Sequence, residues 1–312
     1  MAARPRTRTT SASYIALILA HVFWAGNYVF APVVLAEISP VQLVTLRWAG
    51  AVPLLLVIAQ VMERPQWRDA VREWPRHVAQ SLIGIIGYPI LLYAGLLTVR
   101  PLDASVMGAT NPALILIAAA IIARERPGRR VVLGAALSIV GALIIISRGD
   151  PGEILRGQFV IGDVWILISV LMWTLYSVNG RGGRTPPVTA TALQAVFATV
   201  VMVPIMQWMQ PVDWGSLDAP GWGALVFITI FPTALGFLCW NMGVVGVGAS
   251  RSGVFINTIM VFTAVIGLFL GETVSLVQIL GGLVVFSGVY VSTRPRGVPL
   301  LPHRMGTSER ES

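Results

Sequence analysis

Residues 104–146 read ASVMGATNPALILIAAAIIARERPGRRVVLGAALSIVGALIII, and residues 249–291 read ASRSGVFINTIMVFTAVIGLFLGETVSLVQILGGLVVFSGVYV. In the first stretch Ala104-Ser105 and Gly108 lead through an apolar run to Glu125, followed by Gly134 and Gly141. The second stretch keeps the order with Ala249-Ser250, Gly253, Glu272, Gly281 and Gly288. From the glutamate onward each position lies 147 residues after its counterpart, without a gap. The chain is therefore two related halves. Each copy reads as two membrane helices joined by a tight polar turn, which places the function in a duplicated membrane bundle rather than in a soluble active site.

Composition agrees. Of 312 residues, 55% are apolar and 12% charged, far below the roughly 25% charged residues of soluble domains. About 20 apolar residues cross a bilayer as a helix. Ten such runs follow one another: 14–34, 41–62, 79–99, 103–123, 129–147, 160–179, 188–208, 222–244, 251–271 and 274–292. The fold class expected is an all-α membrane protein of ten transmembrane helices, arranged as two inverted five-helix repeats. A basic tail at 1–13, expected to be disordered, precedes a first repeat at 14–147; a linker at 148–159, outside the cytoplasm, leads to a second repeat at 160–293 and a cytoplasmic tail at 294–312.

The net charge of +8 would suggest nucleic acid in a soluble protein. Here every basic residue is arginine and nearly all lie between apolar runs, so the charge reads as topology and no nucleic-acid partner is expected. Ten runs bring both termini to one side. With the N-terminus inside, Arg4, Arg6, Arg8, Arg64, Arg68, Arg72, Arg76, Arg124, Arg126, Arg129, Arg130, Arg181, Arg184, Arg251, Arg294, Arg296, Arg304 and Arg310 are internal, eighteen in all. Only Arg100, Arg148 and Arg156 are external. The first run mimics a signal peptide, but its length of about 20 residues, the lack of a small-residue cleavage site and the runs that follow mark it as a retained span. An odd number of helices per half inverts one half against the other, so Glu125 ends run 4 inside and Glu272 ends run 9 outside. Such a pair can frame a midplane site that opens alternately to either side.

Candidate site residues are polar or amphipathic groups at depth, where an unpaired polar group costs several kcal/mol. Trp24, Asn27 and Tyr28 share one face of run 1 by their spacing, and Trp24 sits near mid-span, away from the interfacial belts. In run 6 Trp173, 149 residues after Trp24, and Tyr176 return the aromatic pair. Asn111, Trp240, Asn241 and Asn257 complete this set of candidate substrate-binding residues. Each can instead glue helices together, an interaction of about 0.6–2 kcal/mol. Arg47, six residues in from the outer end of run 2, either snorkels to the outer headgroups as an anchor or serves in gating or in binding a substrate carboxylate. No Asp or Glu lies near mid-span, which leaves His21 as the candidate for proton coupling. Prolines at 53, 89, 112, 204 and 232 each free a carbonyl, with Pro89, Pro112 and Pro232 the candidate hinges. Gly134/Gly141 and Gly281/Gly288 leave smooth stripes that favour close packing of helices 5 and 10. Segment 63–76 is amphipathic and basic, with Trp67 and Trp74 set for the headgroup boundary.

No cofactor is implied, and no metal site: Cys239 is the sole cysteine. The motifs of intramembrane or soluble catalysis, His-Glu-x-x-His and Gly-x-Ser-x-Gly, are absent, as are paired intramembrane aspartates, so the chain is not read as an enzyme. A pure scaffold would leave a duplicated core with amides and aromatics at its middle unexplained. Arginine and alanine without lysine point to a GC-rich bacterial genome and hence the cell inner membrane.

Several of these residues carry a likeness to a known family. Trp24-Ala-Gly-Asn-Tyr28, Leu46-Arg47-Trp48, Tyr93-Ala-Gly-Leu96, Ala104-Ser105, Asn111-Pro112, Glu125, Gly162-Asp163, Trp173 with Tyr176, Ala249-Ser250 and Leu270-Gly-Glu272 resemble the EamA-type transporters of the drug/metabolite transporter superfamily. The resemblance spans about residues 14–294. It implies a ten-helix inverted-repeat bundle with a central cavity lined mainly by helices 1, 3, 4, 6, 8 and 9, and export of small metabolites, often amino acids. It also implies cavity roles for Trp24, Asn27, Asn111 and Trp173, and adds Tyr93 to the substrate-binding candidates. One departure stands out: where the family often has a second proline matching Pro112, this chain has Ile259. Expected partners are a small-molecule substrate and the lipid bilayer. The alternative substrates are drug-like or cationic molecules, and a monomer is compatible with everything above.

Overall fold

The computed structural model describes residues 11–122, 124, 126–150, 152, 160–180, 183–247, 252 and 255–293. Glu125, Arg181, Arg251, the 153–159 part of the linker, residues 1–10 of the basic tail and the 294–312 tail lie outside that description, as do the Ala249-Ser250 and Gly253 positions of the second repeat motif; residues 11–13, expected in the tail, already belong to the first helix. Among the described residues the fold is helical, without strands. Eight helices are long and apolar enough to cross a membrane: α1 Ser11–Leu35, α2 Pro40–Met62, α3 Trp74–Leu96, α4 Pro101–Ile122, α5 Arg129–Ile146, α6 Ile161–Asn179, α7 Pro187–Met209 and α8 Ala219–Val247. Two shorter apolar helices follow, α9 Thr258–Phe269 and α10 Leu276–Thr293.

Local chemistry sets the helix starts. Pro40, Pro75, Pro101, Pro187 and Pro220 stand in first turns, where the missing N–H is one the helix leaves unbonded anyway. Ser39 and Gln42 form a capping box at α2, with Ser39 N donating to Gln42 Oε1 at 2.7 Å, and Ser275 with Gln278 repeats it at α10. Such caps are worth about 0.5–2 kcal/mol each. Glu63, placed at the amphipathic segment by the sequence, accepts from the backbone N–H groups of Val188 and Thr189 at 2.9 and 2.7 Å and from the Thr189 hydroxyl. A carboxylate there answers the free N–H groups of the first turn of α7 and favours its dipole.

The bundle packs small residues, aliphatic side chains and a central group of aromatics inside and turns many other large apolar side chains outward. Phe269 is 87% exposed and Trp208 86%, a surface suited to hydrocarbon rather than water. Packing follows a pattern unchanged by exchanging the halves: α1 lies on α8 as α6 lies on α3, α1 on α9 as α6 on α4, while α2 pairs with α7 and α5 with α10. The α5–α10 seam is as close as the glycine stripes predict. A Cβ built on Gly134 would stand 2.4 Å from the carbonyl oxygen of Gly288, and one on Gly141 would stand 2.7 Å from the backbone N of Val285.

Three features depart from the sequence reading. First, α3 begins at Trp74 rather than 79, and both α3 and α8 contain a π-helical stretch, Ser81–Gly87 and Thr229–Leu235. In these wide turns N–H groups reach back five residues, as Tyr88 N to Ile83 O and Gly236 N to Phe231 O. Second, α4 is interrupted by a turn at Ala109–Thr110, just before Asn111-Pro112, and the ninth helical region has the matching turn at Ile256–Asn257. A proline is thus not needed for the second break. In each case a threonine hydroxyl caps a carbonyl that the break loosens, Thr110 to Met107 O at 2.8 Å and Thr258 to Phe255 O at 2.7 Å. Third, Arg47 does not snorkel: it is 5% exposed and points into the bundle.

Candidate functional site

Two cavities follow one another through the middle of the bundle. The small chamber, about 60 Å³, is walled by α1, α2, α3, α4, α6 and α8 with Ile256 and Ile259; its polar or aromatic lining includes Trp24, Asn27, Tyr28, Arg47, Trp48 and Asn111. The large vestibule, about 640 Å³, extends to the end of the bundle that carries Arg76 and Thr185, and its walls include Gln80, Pro112, Tyr176, Gln194, Trp240 and Asn241. Trp173, Phe237 and Ile256 line both.

At that boundary three rings from three helices meet pairwise: Trp24 and Trp173 at 6.2 Å between centroids, Trp24 and Phe237 at 5.9 Å, Trp173 and Phe237 at 6.4 Å. All three pairs are edge-on, the arrangement that aromatic quadrupoles favour by about 0.5–1.5 kcal/mol a pair. Trp24 is fixed further by its indole N–H, which donates to Pro232 O at 3.1 Å. Tyr88 braces Trp173 from the chamber side at 4.9 Å and Tyr176 from the vestibule side at 5.3 Å. The result is an aromatic partition between chamber and vestibule, at the level where α4 and the ninth helical region are both broken.

Arg47 is the charged element of the chamber wall. Its Nε donates to Thr233 Oγ1 at 2.9 Å, Nη1 to Asn27 Oδ1 at 3.4 Å and also to the Tyr93 hydroxyl, which in turn donates to Asn27 at 2.7 Å. The guanidinium carbon stands 5.3 Å from the Trp48 ring centroid and 5.6 Å from that of Tyr93. Thr233 passes the chain on by donating to Ile228 O at 2.7 Å, the carbonyl that Pro232 frees four residues earlier. The local sequence explains the network. The π stretch of α8 turns Thr233 inward, and the break before Asn111 lets the Thr174 hydroxyl donate to the Asn111 amide oxygen at 2.8 Å.

Of the sequence-predicted residues, the chamber gathers Trp24, Asn27, Tyr28, Arg47, Pro89, Asn111 and Trp173, and the vestibule Pro112, Trp173, Tyr176, Trp240 and Asn241. Tyr93 is fully buried and lines neither cavity; it holds Arg47 and Asn27 from behind. Asn257 is 1% exposed, outside both linings, with its Oδ1 unpartnered. Pro232 acts through its carbonyl, not as lining. His21 is also outside both: Nδ1 lies 2.5 Å from Leu17 O, Nε2 has no partner, and the ring sits edge-on to Trp24 and Trp240. Sequence reasoning missed Trp48, Tyr88, Ser105, Ser169 and Phe237 as lining. Ser105 sat within the duplicated Ala-Ser motif and Tyr88 beside Pro89, which were usable signals; Phe237 had none.

The opposite end of the bundle is crossed by polar contacts between helices and loops. Arg100 donates to Thr273 O at 3.0 Å and stands 3.8 Å from the Glu272 carboxylate, both half-exposed. Gln278 donates to Asp103 at 2.6 Å, and Gln42 to Gln210 O and Pro211 O at 3.1 and 3.2 Å.

The model of the EamA-like transporter family matches twice, at residues 11–147 and 160–294. This chain belongs to that family. The EamA-like chain is 27% identical over 289 residues to an uncharacterized transporter, YyaM, of Bacillus subtilis (strain 168), covering 92% of this chain and 95% of that one. It is 27% identical over 286 residues to an uncharacterized transporter of Archaeoglobus fulgidus, covering 91% and 99%. The aromatic amino acid exporter YddG of Ancylobacter novellus is 24% identical over 172 residues, 54% of this chain and 58% of that one. A crystal structure matches with a TM-score of 0.66 at 19% identity over 91% of this chain and 97% of that chain, a likeness of fold. The protein is a multi-pass membrane transporter of the EamA-like family.

Proposed function

We propose that this EamA-like protein exports small metabolites, amino acids or related compounds, from a bacterial cytoplasm across the inner membrane. In this reading two inverted five-helix repeats alternate access to a central cavity, both termini are cytoplasmic, and the present structure is the state open to the cytoplasm. The observation that carries it is the aromatic partition: a small chamber and a large vestibule share the walls Trp173 and Phe237, while the far end is tied by Arg100, Asp103 and their partners. Three further features support it. The helix pairing survives exchange of the halves, discontinuous helices occur where transporters place their sites, and the arginine bias agrees with a vestibule end on the inside. A relative named as an aromatic amino acid exporter supports the direction and the substrate class. The alternative of a cationic substrate loses ground because the formal charge in the chamber lining is positive.

The test is efflux of labelled metabolites from proteoliposomes. Purified folded protein should release a subset of a broad amino-acid and organic-acid panel, and Trp173→Ala should change the rate or the selectivity. No flux for any compound, with folding verified, refutes the carrier reading. A cysteine placed in the 210–221 loop should react with an impermeant maleimide on intact cells; protection there overturns the orientation.

A further inference from the structure

Arg47 is a guanidinium some 95% removed from solvent that takes part in no ion pair among the described residues. A buried charge is ordinarily paired or neutralised, and an arginine cannot shed its proton. Three of its surroundings are satisfied: Nε by Thr233, Nη1 by Asn27 and Tyr93, the faces by the rings of Trp48 and Tyr93. Nη2 has no hydrogen-bond acceptor among the described residues, on a side chain that lines the chamber. The next residue, Trp48, lines the same chamber at 2% exposure, and its indole N–H also lacks an acceptor. The chamber lining contains no carboxylate. A site with fixed donors, an uncompensated positive charge and no acid is built for an anion.

Size and lining narrow the anion. About 60 Å³ admits a few water-sized groups, enough for a carboxylate head but not for a metabolite. The body of the molecule must then part the Trp24, Trp173 and Phe237 rings and lie between them into the vestibule, which is apolar and aromatic at that level. An ammonium on the carbon next to the carboxylate would sit beside Arg47 with no counter-charge in the wall, a like-charge contact in a medium of low polarity.

We propose that the chamber is a carboxylate-binding subsite centred on Arg47, and that the preferred substrates are organic acids with an apolar or aromatic body whose α-amino group is absent or acylated. This rests on the transport reading for the word substrate and narrows its class, away from free amino acids and toward their deaminated or acylated relatives, but the binding site itself does not depend on that reading.

Binding is tested on the full-length protein in nanodiscs by quenching of tryptophan fluorescence and by thermal stabilisation, with 3-phenylpropionate, 3-phenylpropanamide and phenylalanine as probes. The acid should bind about tenfold or more tighter than the amide, the scale of one charge-assisted pair of hydrogen bonds, and also tighter than phenylalanine. Arg47→Gln should erase the acid-over-amide preference. Equal binding of acid and amide in the unmodified protein overturns the proposal whether or not Arg47→Gln folds, as does a folded Arg47→Gln protein that keeps the preference. Phenylalanine binding as tightly as 3-phenylpropionate overturns the exclusion of the amino group. Proteoliposome efflux separates the two readings: flux without acid preference sinks the subsite and leaves the carrier, whereas selective acid binding without flux of any probe keeps the subsite and sinks the carrier.

Discussion

Replacing Gly288 by alanine tests how the α5–α10 seam holds the two halves together. The new Cβ would stand 2.5 Å from Gly134 O and from Ser138 N, and 2.4 Å from Ser138 Oγ, where ordinary contact begins at 3.4 Å. Two of those atoms are backbone, so no rotamer change relieves the clash. The helices must part by about 1 Å at this level, a gap that forfeits a quarter to a half of each dispersion contact nearby. Overpacking of this kind costs about 1–3 kcal/mol. Alanine also gains about 1 kcal/mol of helix propensity over glycine, which must be subtracted. Gly282 supplies the reference on the same helix, since its Cβ would meet nothing nearer than Met260 Sδ at 3.9 Å. The measurement is the denaturation midpoint in detergent micelles for both variants. Gly288→Ala should be less stable than Gly282→Ala by about 1–3 kcal/mol; equal or greater stability refutes the seam as described.

Further expectations follow from the same contacts. Thr233→Val removes the acceptor of Arg47 Nε and the donor to Ile228 O, and should lower stability by about 1–3 kcal/mol, with Thr233→Ser restoring most of it in the same melting assay. Phe237→Ala takes one ring out of the partition and should speed the reaction of a cysteine placed at Ser105, on the chamber wall, with a water-soluble maleimide entering from the vestibule; an unchanged rate would show that the rings do not seal the chamber. Glu73 accepts from the Thr185 hydroxyl at 2.9 Å and from the backbone N–H groups of Arg184 and Thr185; those bonds, the hydroxyl first, hold its carboxyl below the usual range. Its contribution to docking the 183–185 segment is therefore complete above the ordinary carboxylate range and lost as pH falls through the lowered value. Protease sensitivity near Arg184 should rise on acidification, and at neutral pH in Glu73→Gln.

How far the sequence could be read depended on the kind of physics involved. Hydrophobic runs and glycine stripes are summed, local signals, and they placed most spans within a few residues and paired helix 5 with helix 10. Trp24, Asn27, Asn111 and Trp173 were legible because polar or amphipathic groups at mid-span have few reasons to be there. For Arg47 the sequence left snorkelling open beside gating or carboxylate binding, because its depth was counted from the run's end, whereas its direction is set by Thr233 on a π stretch that no sequence period announces. The break at Ile256–Asn257 was equally hidden: without a proline only tertiary packing distinguishes Ile259 from any other apolar residue. Tyr93 carried the right chemistry but sits one layer behind the cavity, a distinction that depends on which neighbours crowd it.

The two wide turns carry a historical implication. Ser81–Gly87 and Thr229–Leu235 stand 148 positions apart in halves of otherwise weak likeness, and a residue inserted into a helix is awkward to acquire twice in one place. A surplus residue at one shared register is accounted for most simply if it was present before the duplication that made the two halves. Surviving single-unit cousins should still have that irregularity in their third helix, and a regular α-turn there would argue that it arose afterwards.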